Sequence, residues 1–396
     1  MPSVPQRLAR TLTVALSTAT VGTAALLGAL TPTATTAHAA EPPAPVSTNL
    51  MADPGLVLDG DTFHAFTTGK LAPAHSSQQA STGWAPTANQ HALFPAAPGE
   101  RGTGNWAADE SVWAPDAVEA APGKWLLFYS AKVKGLVDGN QRCIGVATSD
   151  APDGQFVPQD RPLSCPTGAV RADTGTPIAA SDQPNTDGDG LIDPSPFQSA
   201  DGRRFVLFKV QRPPTTSLLI VEVDRSWTRA IGPGLPEHPT QRSRVLRSRE
   251  DGQIENPAMV QRDGTYVLFA SKDNWGNCAY KTVSWRSTDP MSGFDDEQTL
   301  MTSDSTGLCG PGGADVTDTV ATATSPALPD GQIFLHGWVC GPTHARPCTN
   351  QEWTEIEEAR RNGEPDPIEV RRVMYNAALQ WDGAVPTLGP FTGTPS

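Results

Sequence analysis

The chain has 396 residues, room for one large all-β domain or two smaller ones. Its net charge of −14, from 29 Lys and Arg against 43 Asp and Glu, argues against a nucleic-acid partner and against an anionic membrane surface. With 36 Gly, 38 Pro and 18% charged residues, and with strand-like apolar runs recurring throughout, it reads as a turn-rich β-protein rather than a disordered chain.

Residues 1–40 read as a secretory signal peptide. Arg7 and Arg10 precede an apolar stretch, and Ala37-His38-Ala39 supplies a small-x-small cleavage pattern. No later segment approaches about 18 consecutive apolar residues, so no other span is expected. Export makes disulfides the natural state of Cys143, Cys165, Cys278, Cys309, Cys340 and Cys348, which contain no C-x-x-C pair. Six cysteines permit about 15 connectivities. Nearest-neighbour pairing is expected, because each pair then closes a loop within one local unit. Residues 41–49 form a Pro-rich leader, expected to be a loose arm, and 50–396 are expected to form a single domain.

A repeated word organises that domain. Asp53-Pro54 is followed by an apolar run, an Asp59-Gly60 turn and a second strand-like run, Phe63 to Phe66. A long loop, about 70–110, then leads to Trp113-Ala114-Pro115-Asp116, a Pro122-Gly123 turn and another run. Asp193-Pro194 with the turn Asp201-Gly202 is the third copy. Ile254-Glu255-Asn256-Pro257 with Asp263-Gly264 is the fourth, and Asp315 with Asp330-Gly331 a fainter fifth. Alternating apolar residues around such turns signal hairpins. Five acids, Asp53, Asp116, Asp193, Glu255 and Asp315, therefore head five hairpins about 60 to 80 residues apart. A super-period with several strands per unit predicts a five-bladed β-propeller of four-stranded antiparallel blades around a central channel. A two-sheet sandwich lacks such a super-period. Residues 351–362 predict a short polar helix with a solvated face.

Glycoside hydrolysis needs two facing carboxyl groups, one a protonated acid and one a base or nucleophile, and a third carboxylate nearby raises the pKa of the acid. Taken together, the words resemble glycoside hydrolase family 43 from about Asp53 to Asp382. The resemblance implies Asp53 as general base, Glu255 as general acid and Asp193 as the residue that orients the acid and raises its pKa. It also implies inversion at the anomeric centre, on arabinose- or xylose-containing plant cell-wall polysaccharides or oligosaccharides. Trp113, Asp116 and Asn256 become substrate-side residues, with Asp116 bracing the site by hydrogen bonds. Gly310-Pro311-Gly312-Gly313 and His336 resemble the family's fifth-blade loop and channel histidine, near which many members hold a cation, often calcium. No cofactor is implied for the reaction, and a structural Ca2+ in the channel is the ion suggested. Asn256 stands where many members have Gly, and Gly313 where many have His.

The expected enzyme is thus a secreted, monomeric glycosidase with neither nucleic acid nor membrane as partner. Two other readings stay open: a sugar-binding propeller without catalysis, and a retaining fructan-active enzyme of related fold. Residues 185–193 carry the D-x-D-G spacing of a calcium loop, but Pro196 stands where an EF-hand needs a bidentate Glu.

Overall fold

A computed structural model describes residues 42–136, 139, 141–211, 215–250, 252–317 and 331–393. The signal segment 1–40 and Asp330 of the fifth turn lie outside them. Five sheets follow one another along the chain, as the repeat predicts. Blade 1 is Gly55–Asp59, Thr62–Phe66, Pro73–Ser77 and Ala85–His91. Blade 2 is Ser111–Ala121, Lys124–Lys132, Arg142–Ser149 and Val157–Pro158, with Gly69–Lys70 added at its inner edge. Blade 3 is Gly190–Gln198, Arg204–Gln211, Thr216–Val223 and Arg244–Arg249. Blade 4 is Ile254–Arg262, Thr265–Lys272, Lys281–Ser287 and Gln298–Met301. Blade 5 is Cys309–Thr317, Gln332–Cys340, Val370–Asp382 and Val385–Phe391.

The first strand of each blade lies against the first strand of the next, and the fifth lies against the first, so the ring closes. Apolar layers between neighbouring blades hold it. Between blades 1 and 5 the layer is Phe63, Trp84, Phe334 and Met374, with Phe63 and Phe334 rings 6.0 Å apart. Blade 1 comes wholly from the N-terminal part of the propeller and blade 5 wholly from its C-terminal part. Closure therefore rests on side-chain packing and one further contact. The Pro-rich leader is not loose: Val46 is buried, and Val46 and Met51 donate backbone hydrogen bonds to Met374 and Arg372 of blade 5.

Two other expectations change. The predicted loop 70–110 contains the third and fourth strands of blade 1. Ala85–His91 is mostly exposed, so its sequence is polar and shows no apolar run to mark a strand. The predicted helix is present as Asn350–Asn362, capped by a Thr349–Glu352 capping box and a left-handed Gly363. Its face is docked, not solvated: Trp353, Ile356 and Ala359 are buried, and the Trp353 ring meets Trp338 at 4.9 Å. All six cysteines pair as nearest neighbours, Cys143–Cys165, Cys278–Cys309 and Cys340–Cys348.

The inner strands share a device that shapes the channel. Asp53, Ala114, Asp193, Asn256 and Gly313 all have positive φ, between 38° and 59°. In blades 2 to 5 these residues sit at breaks in the strand register, so each is a bulge that turns one residue toward the axis. Asp and Asn tolerate this backbone better than most residues. Proline follows in four blades: Pro54, Pro115, Pro194 and Pro257. A bulge leaves its next N–H unpaired in a dry channel, and proline has no N–H to leave. That is the physical content of the repeated acid-proline word. It also shows that the five acids are not equivalent. Asp53 and Asp193 occupy the bulge itself, Glu255 precedes it by one residue, and Asp116 and Asp315 follow it by two.

Candidate active site

The three registers sort the acids into two groups. Asp53, Asp193 and Glu255 meet at the channel mouth. The Asn256 N–H donates to Asp193 Oδ2 at 3.0 Å, and its side-chain Nδ2 approaches Asp53 Oδ1 at 3.4 Å and the Tyr280 hydroxyl at 3.1 Å. The Tyr280 hydroxyl in turn donates to Glu255 Oε1 at 2.8 Å. This relay keeps Asp53 Oδ1 and Glu255 Oε1 within about 9 Å of one another, with an amide and a phenol between them. Asn256 thus links the acids instead of obstructing them.

Asp53 is built to stay ionised. Burial pushes its carboxyl up, but Arg372, His336 and hydrogen bonds from Thr68 and Asn256 hold it below the ordinary range. Arg372 Nη1 lies 3.3 Å from both carboxyl oxygens, and Thr68 Oγ1 donates to Oδ2 at 2.7 Å. The facing Asp193 behaves oppositely. Burial, then the charge of Glu255, push Asp193 up to about 8 against the pull of Lys209. Asp193 therefore keeps a proton near neutral pH, as a buried carboxyl beside a second acid does. Lys209 is buried and donates to Glu255 Oε2 at 2.6 Å and to Gln253 Oε1 at 2.8 Å.

Asp116 and Asp315 lie two residues farther along their strands. Burial first, then Asp315, raise Asp116 well above its usual range, and burial pushes Asp315 up to about 7. Asp315 accepts from the Leu56 and Val316 N–H groups, at 2.7 and 2.8 Å. The five bulges and both of these acids line a cavity of about 30 Å³, room for about one water.

His336 was the expected metal-side residue. Burial pulls its imidazole down to about 3, so it is neutral. The Asp53 N–H donates to its Nδ1 at 3.1 Å, which leaves the ring proton on Nε2, a buried atom with no hydrogen-bond partner. A protonated nitrogen has no lone pair for a metal, and calcium takes about 6–8 oxygen ligands. Among the described residues no group of three or more His, Cys, Asp or Glu converges as a ligand set. These residues do not fit a calcium held by His336, and the 185–193 loop forms no such set either. Gly313, where a histidine was the family expectation, is required by space: a Cβ there would meet the His336 ring at 2.4 Å.

Trp113 lines an open cleft of about 470 Å³ beside Asp53, together with Thr68, Lys70, Asp109 and Glu110. One face of its indole carries the Arg142 guanidinium at 3.8 Å. On the other flank stands Trp275, 46% exposed, whose ring lies 4.9 Å from the Arg372 guanidinium and stacks on Trp338. Four contributors went unnoticed in the sequence: Arg372, Lys209, Tyr280 and Trp275. Arg372, Tyr280 and Trp275 have no repeated word around them, and Lys209 lies in the second strand of the third copy, away from its acid.

The comparisons with known proteins agree with this geometry. The family model described as glycosyl hydrolases family 43 matches residues 42–325. The chain belongs to this family. The description of that family is one of glycosyl hydrolases. Over 162 residues the chain is 29% identical to the extracellular endo-alpha-(1->5)-L-arabinanase 2 of Bacillus subtilis (strain 168), a match covering 39% of this chain and 32% of that protein. The matched part thus spans about a third of that curated relative. Among solved structures, a thermostable family-43 glycoside hydrolase superposes with TM-score 0.60 at 15% identity, covering 87% of this chain and 96% of the other. The Cellvibrio cellulosa alpha-L-arabinanase complexed with arabinohexaose gives 0.54 at 17% identity, covering 86% and 96%. At these identities the structural matches show the fold.

Proposed function

We propose that this family-43 enzyme is exported through its N-terminal 1–40 segment and hydrolyses arabinose-containing plant polysaccharide or oligosaccharide with inversion. Arabinose is favoured over xylose because an arabinanase is the curated relative matched in sequence. The observation that carries the mechanism is the contrast in charge state across the mouth. Asp53 is held ionised by Arg372 and Thr68, whereas burial and the charge of Glu255 push the facing Asp193 carboxyl up to about 8.

In this mechanism Glu255 gives its proton to the glycosidic oxygen as the bond to the anomeric carbon breaks. The bonding pair stays on the leaving oxygen. Asp53 takes a proton from a water whose oxygen bonds to the opposite face of that carbon. One proton leaves Glu255, one arrives at Asp53, and both carboxyls re-equilibrate with solvent. Asp193 orients Glu255 through the shared Asn256 backbone. Inversion requires about 6.5–9.5 Å between the two working carboxyls, which the relay bound accommodates.

Product analysis on arabinan, arabinoxylan and aryl pentosides tests the assignment. Glu255→Gln is expected to lower kcat about 10²- to 10⁴-fold on oligosaccharides while the circular dichroism spectrum is unchanged. Full activity in that variant contradicts it.

A further inference from the structure

We infer that Lys209 is the positioning residue of the general acid, occupying Glu255 Oε2 so that the transferable proton resides on Oε1. This rests on the proposed role of Glu255, and it gives a role to a residue that the acid-proline word does not mark.

The geometry is asymmetric. Lys209 Nζ is 2.6 Å from Oε2, and its side chain is 2% exposed. An ammonium has donors and no acceptor, so an oxygen facing it cannot also point a proton at it. Oε1 faces the Tyr280 hydroxyl at 2.8 Å, a group that can either donate or accept. That hydroxyl also accepts from Asn256 Nδ2, and its second lone pair accepts a proton carried on Oε1 once its own proton turns away from Glu255. Oε1 is also the oxygen on the Asp53 side, because the Tyr280–Asn256 relay runs from it to Asp53. A substrate held between the two carboxyls therefore meets the proton-bearing oxygen.

Lys209 is itself fixed. It lies in the second strand of blade 3, and Gln253 Oε1 takes a second of its protons at 2.8 Å. A buried ammonium without a partner is costly, so this one stays with Glu255 through the cycle. When the proton has gone to the leaving oxygen, Lys209 and Tyr280 both donate to the new carboxylate, which makes the transfer easier. The groups facing the pair are few. Asp193 and Lys209 come from blade 3, Tyr280 from blade 4, Asp53 from blade 1 and Arg142 from blade 2. Arg372 and His336 act on Asp53 from blade 5.

The test is a titration of the Glu255–Asp193 pair in the full-length mature enzyme. It is read as the infrared carboxylic C=O band that disappears in Glu255→Gln. Lys209→Gln keeps a hydrogen-bond donor and removes the charge, and it should move the midpoint up by about one pH unit or more. Lys209→Arg keeps the charge and should leave the midpoint within about half a unit of wild type. This second variant decides the matter alone if the first does not fold. A kinetic arm uses aryl pentosides: Lys209→Gln should slow poor leaving groups at least about tenfold more than a dinitrophenyl leaving group. An unmoved midpoint in Lys209→Gln, or a displaced one in Lys209→Arg, overturns the inference. Wild-type enzyme inert on every pentoside would instead overturn the substrate reading, while the infrared arm still decides the role of Lys209.

Discussion

At Asp53 a single buried carboxylate is held ionised by one guanidinium, and this makes the pH profile readable. Burial favours the neutral form, and Arg372 is the largest of the opposing influences. Removing it in Arg372→Met should raise the pKa of the base, so the acidic limb of kcat/KM should move to higher pH by about one unit. The limb is lost as pH falls through the carboxyl of Asp53, so the direction is fixed: the variant fails sooner on acidification. An unchanged limb would remove Arg372 from the account. Residues of this scale divide sharply in how visible they were. Asp53, Asp193 and Glu255 were legible because proline, required by the bulge, writes a word beside them. Lys209, Tyr280 and Arg372 were not, because each reaches its acid from a strand or loop whose local sequence has another purpose. Asp116 was legible as an acid but not in its place. A two-residue offset from the bulge sends it to Asp315 in the channel, away from the mouth.

At the scale of elements, the mouth beside blades 4 and 5 is a stapled wall. The loop 273–280 carries Trp275 and Tyr280, and Cys278–Cys309 ties it to the head of the fifth inner strand. Asn277 reaches Glu357 of the docked helix, and Trp338 Nε1 donates to the Trp275 carbonyl. Cys278→Ser with Cys309→Ser should cost about 3 kcal/mol of stability by thermal denaturation. It should also lower kcat, because Tyr280 sits two residues from the lost staple. Stability that falls with kcat unaltered would show the wall to be structural only. Cysteine pairing was expected from locality and holds. The docked face of the helix was hidden, since a tryptophan and an isoleucine among charged residues look like an ordinary exposed helix until Trp338 is seen beneath them. The outermost strand of blade 1, Ala85–His91, was hidden for the matching reason, being mostly exposed and therefore polar.

The whole molecule is a ring, and a ring made from one chain must close somewhere. Here it closes between blades 1 and 5 with no strand exchanged, through Phe63, Trp84, Phe334 and Met374 and the docked leader. Phe334 is fully buried in that seam. Phe334→Ala should therefore cost about 3–5 kcal/mol, read as a lowered denaturation midpoint. A change below about 1 kcal/mol would mean that the seam does not hold the ring. The five-bladed architecture was legible because its super-period is longer than any strand spacing. The seam was not, because contact between the first and last blades leaves no local pattern in the chain.

Proton NMR of the first product released from arabinan tests the central claim most directly. The account predicts that the new reducing end appears first with the anomeric configuration opposite to that of the bond cleaved, before mutarotation. A first-formed product of retained configuration would contradict it, since Asp53 would then be attacking the sugar rather than activating water.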